Sequence, residues 1–296
     1  MKVLDQKSGK NWVLYNGDSC EVLAGIPTDS IHYSITSIPF ASLYTYSNSD
    51  RDLGNSRTYG EFAEHYQYLG REWFRVMMPG RLVSIHCMNL PTTKERDGVI
   101  GIRDFRGDVI RWMQSLGFIY HSEVCIWKNP VTAMQRTKAL GLLWKTIKKD
   151  SSMCRMGIPD FVCTFRKPGS NPEPISHTPE EYPVDHWQQI ASPIWDDYAT
   201  PVWWDINQSA TLQRKSARAD KDERHICPLQ LPVIERCVEL WSKPNEIVLD
   251  PFDGIGSTGY QALKMGRRHV GVELKESYFQ QAALNLEAAE REESEG

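Results

Sequence analysis

A glycine-rich turn near the end of the chain has the residue types and spacing of a nucleotide-binding loop. Residues 250–259, DPFDGIGSTG, contain three glycines in the pattern G-x-G-x-x-G. Glycine tolerates positive φ and lets a ligand approach the main chain closely. Glu273 follows about 20 residues later, where an acid can accept hydrogen bonds from ribose hydroxyls. An ordinary tight turn is the alternative; otherwise the pattern indicates a site for an adenosine-type cofactor.

The segments around the turn predict the order strand, turn, helix, strand. Residues 246–249 are apolar and β-branched, as in a buried strand. Residues 258–265 predict a helix, and residues 270–273 predict the next strand. NAD and S-adenosylmethionine both fit such a unit. A dinucleotide fold normally places its second half after the first, but only residues 274–296 follow here. The rest of the sheet must therefore come from upstream.

A second segment of interest lies upstream, where residues 29–35 predict a strand and residues 36–40, TSIPF, end it. Together with the late glycine turn, this segment resembles the β-class, circularly permuted DNA amino-methyltransferases. Their motif I is D-P-F-x-G-x-G-T, and their motif IV is (D/N/S)-P-P-(Y/F). Ile38 departs from motif IV, because it stands where proline is usual. The resemblance leaves residues 130–215 largely unmatched.

The resemblance assigns catalysis to the tetrapeptide Ser37, Ile38, Pro39 and Phe40. The exocyclic amino group of adenine or cytosine is a poor nucleophile, because its lone pair is delocalised into the ring. The Ser37 hydroxyl and the Ile38 carbonyl would accept hydrogen bonds from that group and draw it toward a tetrahedral shape. Pro39 would hold the loop through its fixed φ, and Phe40 would stack on a flipped base. No metal and no covalent enzyme intermediate is required.

The resemblance also implies S-adenosylmethionine as the cofactor, held by several segments of the chain. Asp18 would lie at the adenine, and residues 225–232, HICPLQLP, would wall the methionine part. A turn aspartate and a helix-opening proline are the structural alternatives for these two segments. The residues assigned to the cofactor are Asp18, Thr36, Pro228, Gln230, Asp250, Pro251, Phe252, Gly254, Gly256, Ser257, Thr258 and Glu273.

Double-stranded DNA is the partner that the resemblance implies. Basic clusters near aromatic residues lie at 136–149 and 214–218, in the region that interrupts the family pattern. Such residues suit phosphate contacts or base-edge readout, and solvated helix faces are the alternative. Residues 42–50 predict a loop able to close over a flipped base, and Trp203 is expected in the core. The candidate DNA contacts are Arg136, Lys138, Lys145, Lys148, Lys149, Arg155, Gln213, Arg214 and Lys215.

Composition limits other classes of function. The net charge of −4 does not favour DNA binding, although residues 287–295 carry five acids against one arginine. Seven cysteines without a C-x-x-C pair argue against a zinc site or a disulfide framework. The chain has no Pro-Cys dipeptide, which disfavours covalent attack on a base. It also shows no long apolar run and no signal-peptide pattern, so we expect a cytoplasmic protein without a membrane span.

The expected architecture is α/β, a Rossmann-like S-adenosylmethionine-dependent methyltransferase fold. Its doubly wound, seven-stranded sheet would be mostly parallel, with one late antiparallel strand and circularly permuted motif order. Residues 1–129 would form the catalytic half of the methyltransferase domain. Residues 130–223 would form an inserted target-recognition region that includes a late hairpin strand. Residues 224–296 would form the cofactor-binding half.

The expected function is site-specific DNA methylation on an exocyclic amino group. N6 of adenine is favoured over N4 of cytosine, because the S-I-P-F form and the loop behind it resemble orphan or phage-type adenine methylases. Other hypotheses are an RNA or protein amino-methylase, an NAD-dependent oxidoreductase and a non-catalytic DNA-binding protein. The family resemblance also allows a homodimer, although no interface can be identified from the sequence.

Overall fold

A computed structural model of the protein describes residues 3–40, 52–56, 58–131, 144–154, 156–185, 200–212 and 228–295. In this part of the chain, nine strands form one sheet and two more form a separate hairpin. The strands are β1 (Asp5–Ser8), β2 (Trp12–Asn16), β3 (Ile31–Ser37), β4 (Met77–Met88), β5 (Leu90–Thr92), β6 (Gly101–Arg103), β7 (Ile119–Ile126), β8 (Asp160–Arg166), β9 (Val202–Trp203), β10 (Ile247–Asp250) and β11 (Arg268–Glu273).

The large sheet has the order β1-β2-β11-β10-β3-β4-β8-β7-β9. The five neighbours from β2 to β4 are all parallel, whereas β8 runs antiparallel to both β4 and β7. This confirms the predicted α/β class with a mostly parallel sheet, and β7 with β8 forms the predicted late hairpin. Two edge strands, β1 and β9, extend the sheet beyond the seven strands that were expected.

Helices cover both faces of the sheet. The longer ones are Tyr59–Val76, Phe105–Ser115, Leu231–Trp241, Ser257–Lys264 and Glu276–Glu295. Shorter α-helices are Ser19–Leu23, Lys94–Asp97 and Trp144–Asp150, and 3₁₀ turns occur at Leu53–Asn55 and Ser151–Met153. The helix predicted at 258–265 is present as Ser257–Lys264, with each bound shifted by one residue.

Helices on both faces bury the side chains of the central strands. One hydrophobic cluster contains Trp73 and Phe105 from the helices on the first face. The other contains Val233 from the helix Leu231–Trp241, together with Trp203, which is fully buried as predicted. β3 has six successive buried residues, of which Ile31, Tyr33 and Ile35 are apolar and His32, Ser34 and Thr36 are polar. The described helices include none long and apolar enough to cross a membrane.

The parallel strands bring the predicted site residues to one edge of the sheet. Ser37 is the last residue of β3, Asp250 the last of β10 and Glu273 the last of β11. Since β3, β10 and β11 are adjacent and parallel, their carboxyl ends lie side by side. Ligands of open α/β sheets bind outside this edge, so the topology alone places the three residues around a common site.

Candidate active site

A cavity of about 540 Å³ opens at the carboxyl edge of the central strands. It brings together two segments more than two hundred positions apart in the sequence, the tetrapeptide 37–40 and the turn 250–255. Predicted site residues that line it are Asp18, Ser37, Ile38, Pro39, Phe40, Pro228, Asp250, Pro251, Phe252, Gly254, Ser257, Thr258 and Glu273. The cavity wall is mainly apolar with a few polar groups, as small-molecule sites usually are.

Asp250 holds the glycine turn in place through two hydrogen bonds. Its carboxylate accepts a hydrogen bond from the Phe252 main-chain N–H at 2.9 Å and another from the Thr258 hydroxyl at 2.7 Å. Burial raises the pKa of Asp250 to about 7, and the neighbouring Asp253 contributes in the same direction, while these hydrogen bonds oppose the shift. The carboxyl group therefore ties the end of β10 to the first turn of the following helix.

The glycines of the turn serve two different needs. Gly254 and Gly256 have φ of 57° and 81°, in the left-handed region that favours glycine. At Gly259 the limit is space, because a Cβ there would lie 2.5 Å from side-chain atoms of His269 and Leu286. The turn thus needs positive φ at its first two glycines and close helix packing at its third.

Glu273, the last residue of β11, is hydrogen-bonded to the glycine turn. Its two carboxylate oxygens accept hydrogen bonds from the main-chain N–H groups of Gly254 and Lys275, each at 2.8 Å. Burial raises the pKa of Glu273 to about 8, with smaller contributions from Asp253 and Asp52 in the same direction. When Glu273 is ionised, its carboxylate has about four acceptor positions, so it can still accept hydrogen bonds from ligand hydroxyls in the cavity.

Asp18 lies at the N-cap of the helix Ser19–Leu23 and faces the same cavity. Its carboxylate accepts a hydrogen bond from the Cys20 N–H at 2.9 Å, which is the usual work of an N-cap aspartate. The neighbouring Ser19 hydroxyl donates to the Pro251 carbonyl, which fixes this helix to the glycine turn. The structural and the ligand-binding predictions for Asp18 are therefore compatible.

The tetrapeptide is held by a chain of polar side chains that sequence reasoning missed. Ser37 Oγ lies 2.9 Å from His86 Nδ1, and His86 Nε2 lies 3.0 Å from Asp160 Oδ2. The same Asp160 oxygen is 2.5 Å from the Lys128 ammonium nitrogen. Burial alone raises the pKa of Asp160, but Lys128 and His86 outweigh it and bring the pKa below its usual value. Asp160 is therefore ionised at neutral pH.

Phe40 lines the cavity but is only 8% exposed. Its ring contacts His86 and Phe105 edge-on, with centroids 6.3 Å and 6.4 Å apart. Most of the ring surface therefore belongs to the core, and an incoming aromatic ligand would meet the remainder. This is a more enclosed position than the open stacking platform that the sequence suggested.

Three predicted cofactor residues do not line the cavity directly. Thr36 is buried in β3 just before Ser37, Gly256 shapes the turn, and Gln230 is buried at the N-cap of the helix Leu231–Trp241. Sequence reasoning did not single out further lining residues, among them the acids Glu21, Asp52 and Asp253 and the helix residues His65 and Tyr68. Asp253 lies within the glycine turn itself, whereas the positions of the other four residues depend on how distant segments pack and no local motif predicts them.

The predicted DNA contacts are only partly within the described residues. Lys145, Lys148 and Lys149 are exposed on the helix Trp144–Asp150, beside a Trp144 side chain that is 78% exposed. The other candidates lie outside the described residues, as do the loop 42–50 and the segment 225–227: Arg136, Lys138, Arg155, Gln213, Arg214 and Lys215.

The cavity fits an adenosine-containing cofactor that carries positive charge. Carboxylates of Asp18, Asp253 and Glu273 line it and can accept hydroxyl or ammonium hydrogens. The positive-φ glycines leave the main chain of the turn open to close approach. The Ser37 hydroxyl faces the same space, so a bound cofactor and a second substrate would meet at the tetrapeptide.

Comparisons with solved structures show which fold this chain shares with known proteins. PvuII DNA methyltransferase (cytosine-N4-specific) superposes with a TM-score of 0.65 at 16% identity, over 96% of this chain and 90% of that one. A DNA modification methylase from Thermus thermophilus, complexed with S-adenosyl-L-methionine, gives a TM-score of 0.66 at 24% identity, over 94% of this chain and 95% of that one. These two likenesses show a shared methyltransferase fold.

Two relatives match shorter segments. The methylase YubD of Escherichia coli (strain K12) is 42% identical over 71 residues, which are 23% of this chain and 31% of the relative. The type II methyltransferase M.ScaI of Streptomyces caespitosus is 42% identical over 74 residues, 24% of each chain. The matches thus span about a third or less of the length of these relatives.

A family model covers most of the chain and includes both halves of the cavity. Residues 31–284 match the model named N6_N4_Mtase, described as DNA methylase. The matched range contains the tetrapeptide at 37–40, the turn at 250–259 and Glu273. The chain therefore belongs to the DNA methylase family of the N6/N4 type.

Proposed function

We propose that this protein is an S-adenosylmethionine-dependent DNA methyltransferase that acts on an exocyclic amino group. The observation that carries the proposal is the shared cavity of Ser37–Phe40 and the Asp250 turn. The family match and the methyltransferase fold support it. An NAD-dependent oxidoreductase would have no use for the tetrapeptide in the cofactor cavity, so this alternative is disfavoured.

S-adenosylmethionine, when bound, supplies an electrophilic methyl group on a sulfonium. The protein residues have to position the amino group and stabilise the charge that develops on it. The Ser37 hydroxyl oxygen and the Ile38 carbonyl oxygen accept hydrogen bonds from that amino group. These hydrogen bonds favour a tetrahedral nitrogen, whose lone pair is less delocalised into the ring. The transfer leaves a positive charge on the nitrogen, and loss of one proton to solvent returns the base to neutrality.

We propose a role for each cofactor-binding residue. Glu273 accepts hydrogen bonds from the ribose part and Asp18 lies at the adenine part, since both residues line the cavity. Asp250 and Thr258 hold the turn in shape through their hydrogen bond. Pro228 lines the cavity before the helix Leu231–Trp241, where we propose the methionine part lies. Thr36, Gln230 and Gly256 contribute through the main chain and the turn.

We propose N6 of adenine as the methylated position. The support is the resemblance of the Ser37–Phe40 segment, with the loop that follows it, to orphan and phage-type adenine methylases. N4 of cytosine is the second candidate, and the structural likeness to the cytosine-N4-specific PvuII enzyme favours it. The two targets present the same chemistry to Ser37, because each carries one exocyclic amino group conjugated with the ring.

The remaining parts of the proposal concern organisation and partners. Residues 130–223 recognise the DNA target between the catalytic half, 1–129, and the cofactor-binding half, 224–296, in a circularly permuted order. The exposed Lys145, Lys148 and Lys149 contact phosphates. We also propose that the enzyme works in the cytoplasm. A homodimer is the family-based expectation for its oligomeric state, which sedimentation can measure.

Transfer of labelled methyl groups tests the proposal. The protein is incubated with S-adenosylmethionine labelled in the methyl group and with duplex DNA, RNA or a protein mixture, and the labelled product is digested and separated. N6-methyladenine in DNA is the expected result, and N4-methylcytosine would move the proposal to the second candidate. Label that enters only RNA or protein, or no label in any substrate together with tight NAD binding, would overturn the function.

A further inference from the structure

His86 lies directly behind the Ser37 hydroxyl, on the neighbouring strand. Ser37 and His86 are register partners in the β3–β4 pair. On its other side, His86 reaches Asp160 at the start of β8, and Lys128, which follows β7, completes the chain. His86, Asp160 and Lys128 do not line the cavity, so they act on a substrate through the residues of the tetrapeptide.

The ionised Asp160 carboxylate determines which nitrogen of His86 carries a hydrogen. Asp160 is ionised and can only accept hydrogen bonds. The hydrogen between His86 and Asp160 therefore belongs to His86 Nε2. In the neutral imidazole, Nδ1 then carries a lone pair and accepts the hydrogen of the Ser37 hydroxyl at 2.9 Å. The carboxylate thus fixes the tautomer of His86, and the tautomer fixes the direction of the Ser37 O–H bond.

We propose that His86 is a positioning residue that turns the Ser37 hydroxyl into an acceptor for the target amino group, with Asp160 holding His86 in the required tautomer. The inference rests on the proposed amino-methyltransferase function. A free serine hydroxyl can point its hydrogen toward the substrate and then repel an amino N–H bond. When the hydrogen is committed to His86 Nδ1, the oxygen lone pairs remain for the substrate.

His86 also contacts the other end of the tetrapeptide. Its ring lies edge-on to Phe40, with centroids 6.3 Å apart. His86 therefore positions both the Ser37 hydroxyl, which is the proposed hydrogen-bond acceptor, and the Phe40 ring. A histidine that only fills the core would not need one ring nitrogen on the active-site hydroxyl and the other on a buried carboxylate.

Two matched substitutions separate this role from packing. In His86→Asn the amide oxygen stands near the position of Nδ1 and can still accept the Ser37 hydrogen. In His86→Gln the amide reaches the position of Nε2 and Asp160 instead, and the Ser37 contact is lost. His86→Leu removes both contacts. We measure kcat, KM for S-adenosylmethionine and thermal stability for all three.

The inference predicts a kcat loss on the order of 10²-fold for His86→Gln and His86→Leu, by analogy with the loss of one preorganised hydrogen bond at a reacting group. His86→Asn should recover at least about tenfold of that loss, while KM for S-adenosylmethionine stays near the wild-type value in all three. Equal kcat in His86→Asn and His86→Gln, or wild-type kcat in His86→Leu, would overturn it.

A second measurement does not depend on transfer. Nitrogen-15 NMR of His86 in the wild-type protein should show a protonated Nε2 and an unprotonated Nδ1. The opposite tautomer would overturn the inference even if the enzyme is active. Failure of the proposed function has a different signature, since the wild-type protein itself would then transfer no methyl group to DNA while the His86 tautomer remains as described.

Discussion

The Thr258 hydroxyl donates a hydrogen bond to the Asp250 carboxylate at 2.7 Å, and both groups are buried. Asp250 ends β10 and Thr258 lies in the first turn of the next helix. This bond therefore spans the glycine turn and sets its width. Asp250 and Thr258, which stand before and after Gly254 and Gly256, therefore have a structural role besides any direct contact with a ligand.

Removing that hydroxyl should weaken both the fold and the cofactor site. Thr258→Val leaves a buried carboxylate oxygen without its donor, which costs about 1–3 kcal/mol in the free energy of unfolding. We also expect a higher Kd for S-adenosylmethionine. Urea denaturation and titration calorimetry measure the two effects. Thr258→Ser keeps the hydroxyl and is the matched control, and an equal loss of affinity in both variants would contradict this role.

Substitution of Gly256 tests whether backbone strain in the glycine turn also weakens cofactor binding. Its φ is 81°, and an added Cβ would lie 3.2 Å from the Ala282 main chain. Gly256→Ala should lower stability by about 1–3 kcal/mol through backbone strain and also weaken S-adenosylmethionine binding. The control is Gly98→Ala, where φ is 73° and nothing lies within 4 Å of the added Cβ. That variant should lose stability alone, as measured by the same two methods.

The buried carboxyl groups predict a pH dependence with a definite sign. The pKa of Asp250 is raised from 3.8 to about 7, and that of Glu273 from 4.5 to about 8. The folded state therefore binds more protons than the unfolded state across this window. The free energy of unfolding should fall as pH rises from about 5 to about 8.

Denaturation at several pH values measures this slope in the protein without cofactor. Glu273→Gln removes one of the titrating groups and should flatten the curve at the alkaline end of the window. Ionised carboxylates attract a positively charged cofactor, so S-adenosylmethionine affinity should rise over the same range. Stability that stays constant or rises with pH over this window in the wild-type protein would contradict the raised pKa values of the two carboxyl groups.

The exposed lysines of the helix Trp144–Asp150 predict a salt-dependent contribution to DNA binding. If Lys148 contacts a phosphate, Lys148→Ala should weaken binding to all duplex sequences alike. It should also reduce the slope of log K against log salt concentration by about one. Fluorescence anisotropy at several salt concentrations measures the slope. Lys94→Ala, an exposed lysine on the short helix Lys94–Asp97, serves as control, and an identical slope in Lys148→Ala and wild type would remove Lys148 from the interface.

The sequence predicted the parts of the site that local rules govern. Glycines, an acid and a strand–turn–helix pattern are enough to predict the Asp250 turn, and the late position of that turn led to the Ser37 tetrapeptide. The late hairpin of β7 and β8 was also predicted, because each strand carries its own apolar pattern. The edge strand β9 is only two residues long, which is too short to give any periodic signal.

The contacts that depend on strand register were not predictable. His86 sits opposite Ser37 only because β4 pairs with β3 in one particular register. Asp160 reaches His86 through the separate antiparallel pairing of β4 with β8. A shift of one residue in either pair would turn these side chains to the other face of the sheet. The enclosed position of Phe40 likewise depends on Phe105, which comes from a distant helix.

The most direct test of the central claim separates the two halves of the cavity. Single-turnover methyl transfer to DNA and the Kd for S-adenosylmethionine are measured for the wild type, Ser37→Ala and Asp250→Ala. Ser37→Ala should keep the wild-type Kd and lose transfer by on the order of 10²-fold, whereas Asp250→Ala should lose cofactor binding. Wild-type transfer by Ser37→Ala would contradict the claim that Ser37 and the Asp250 turn form one methyltransferase site.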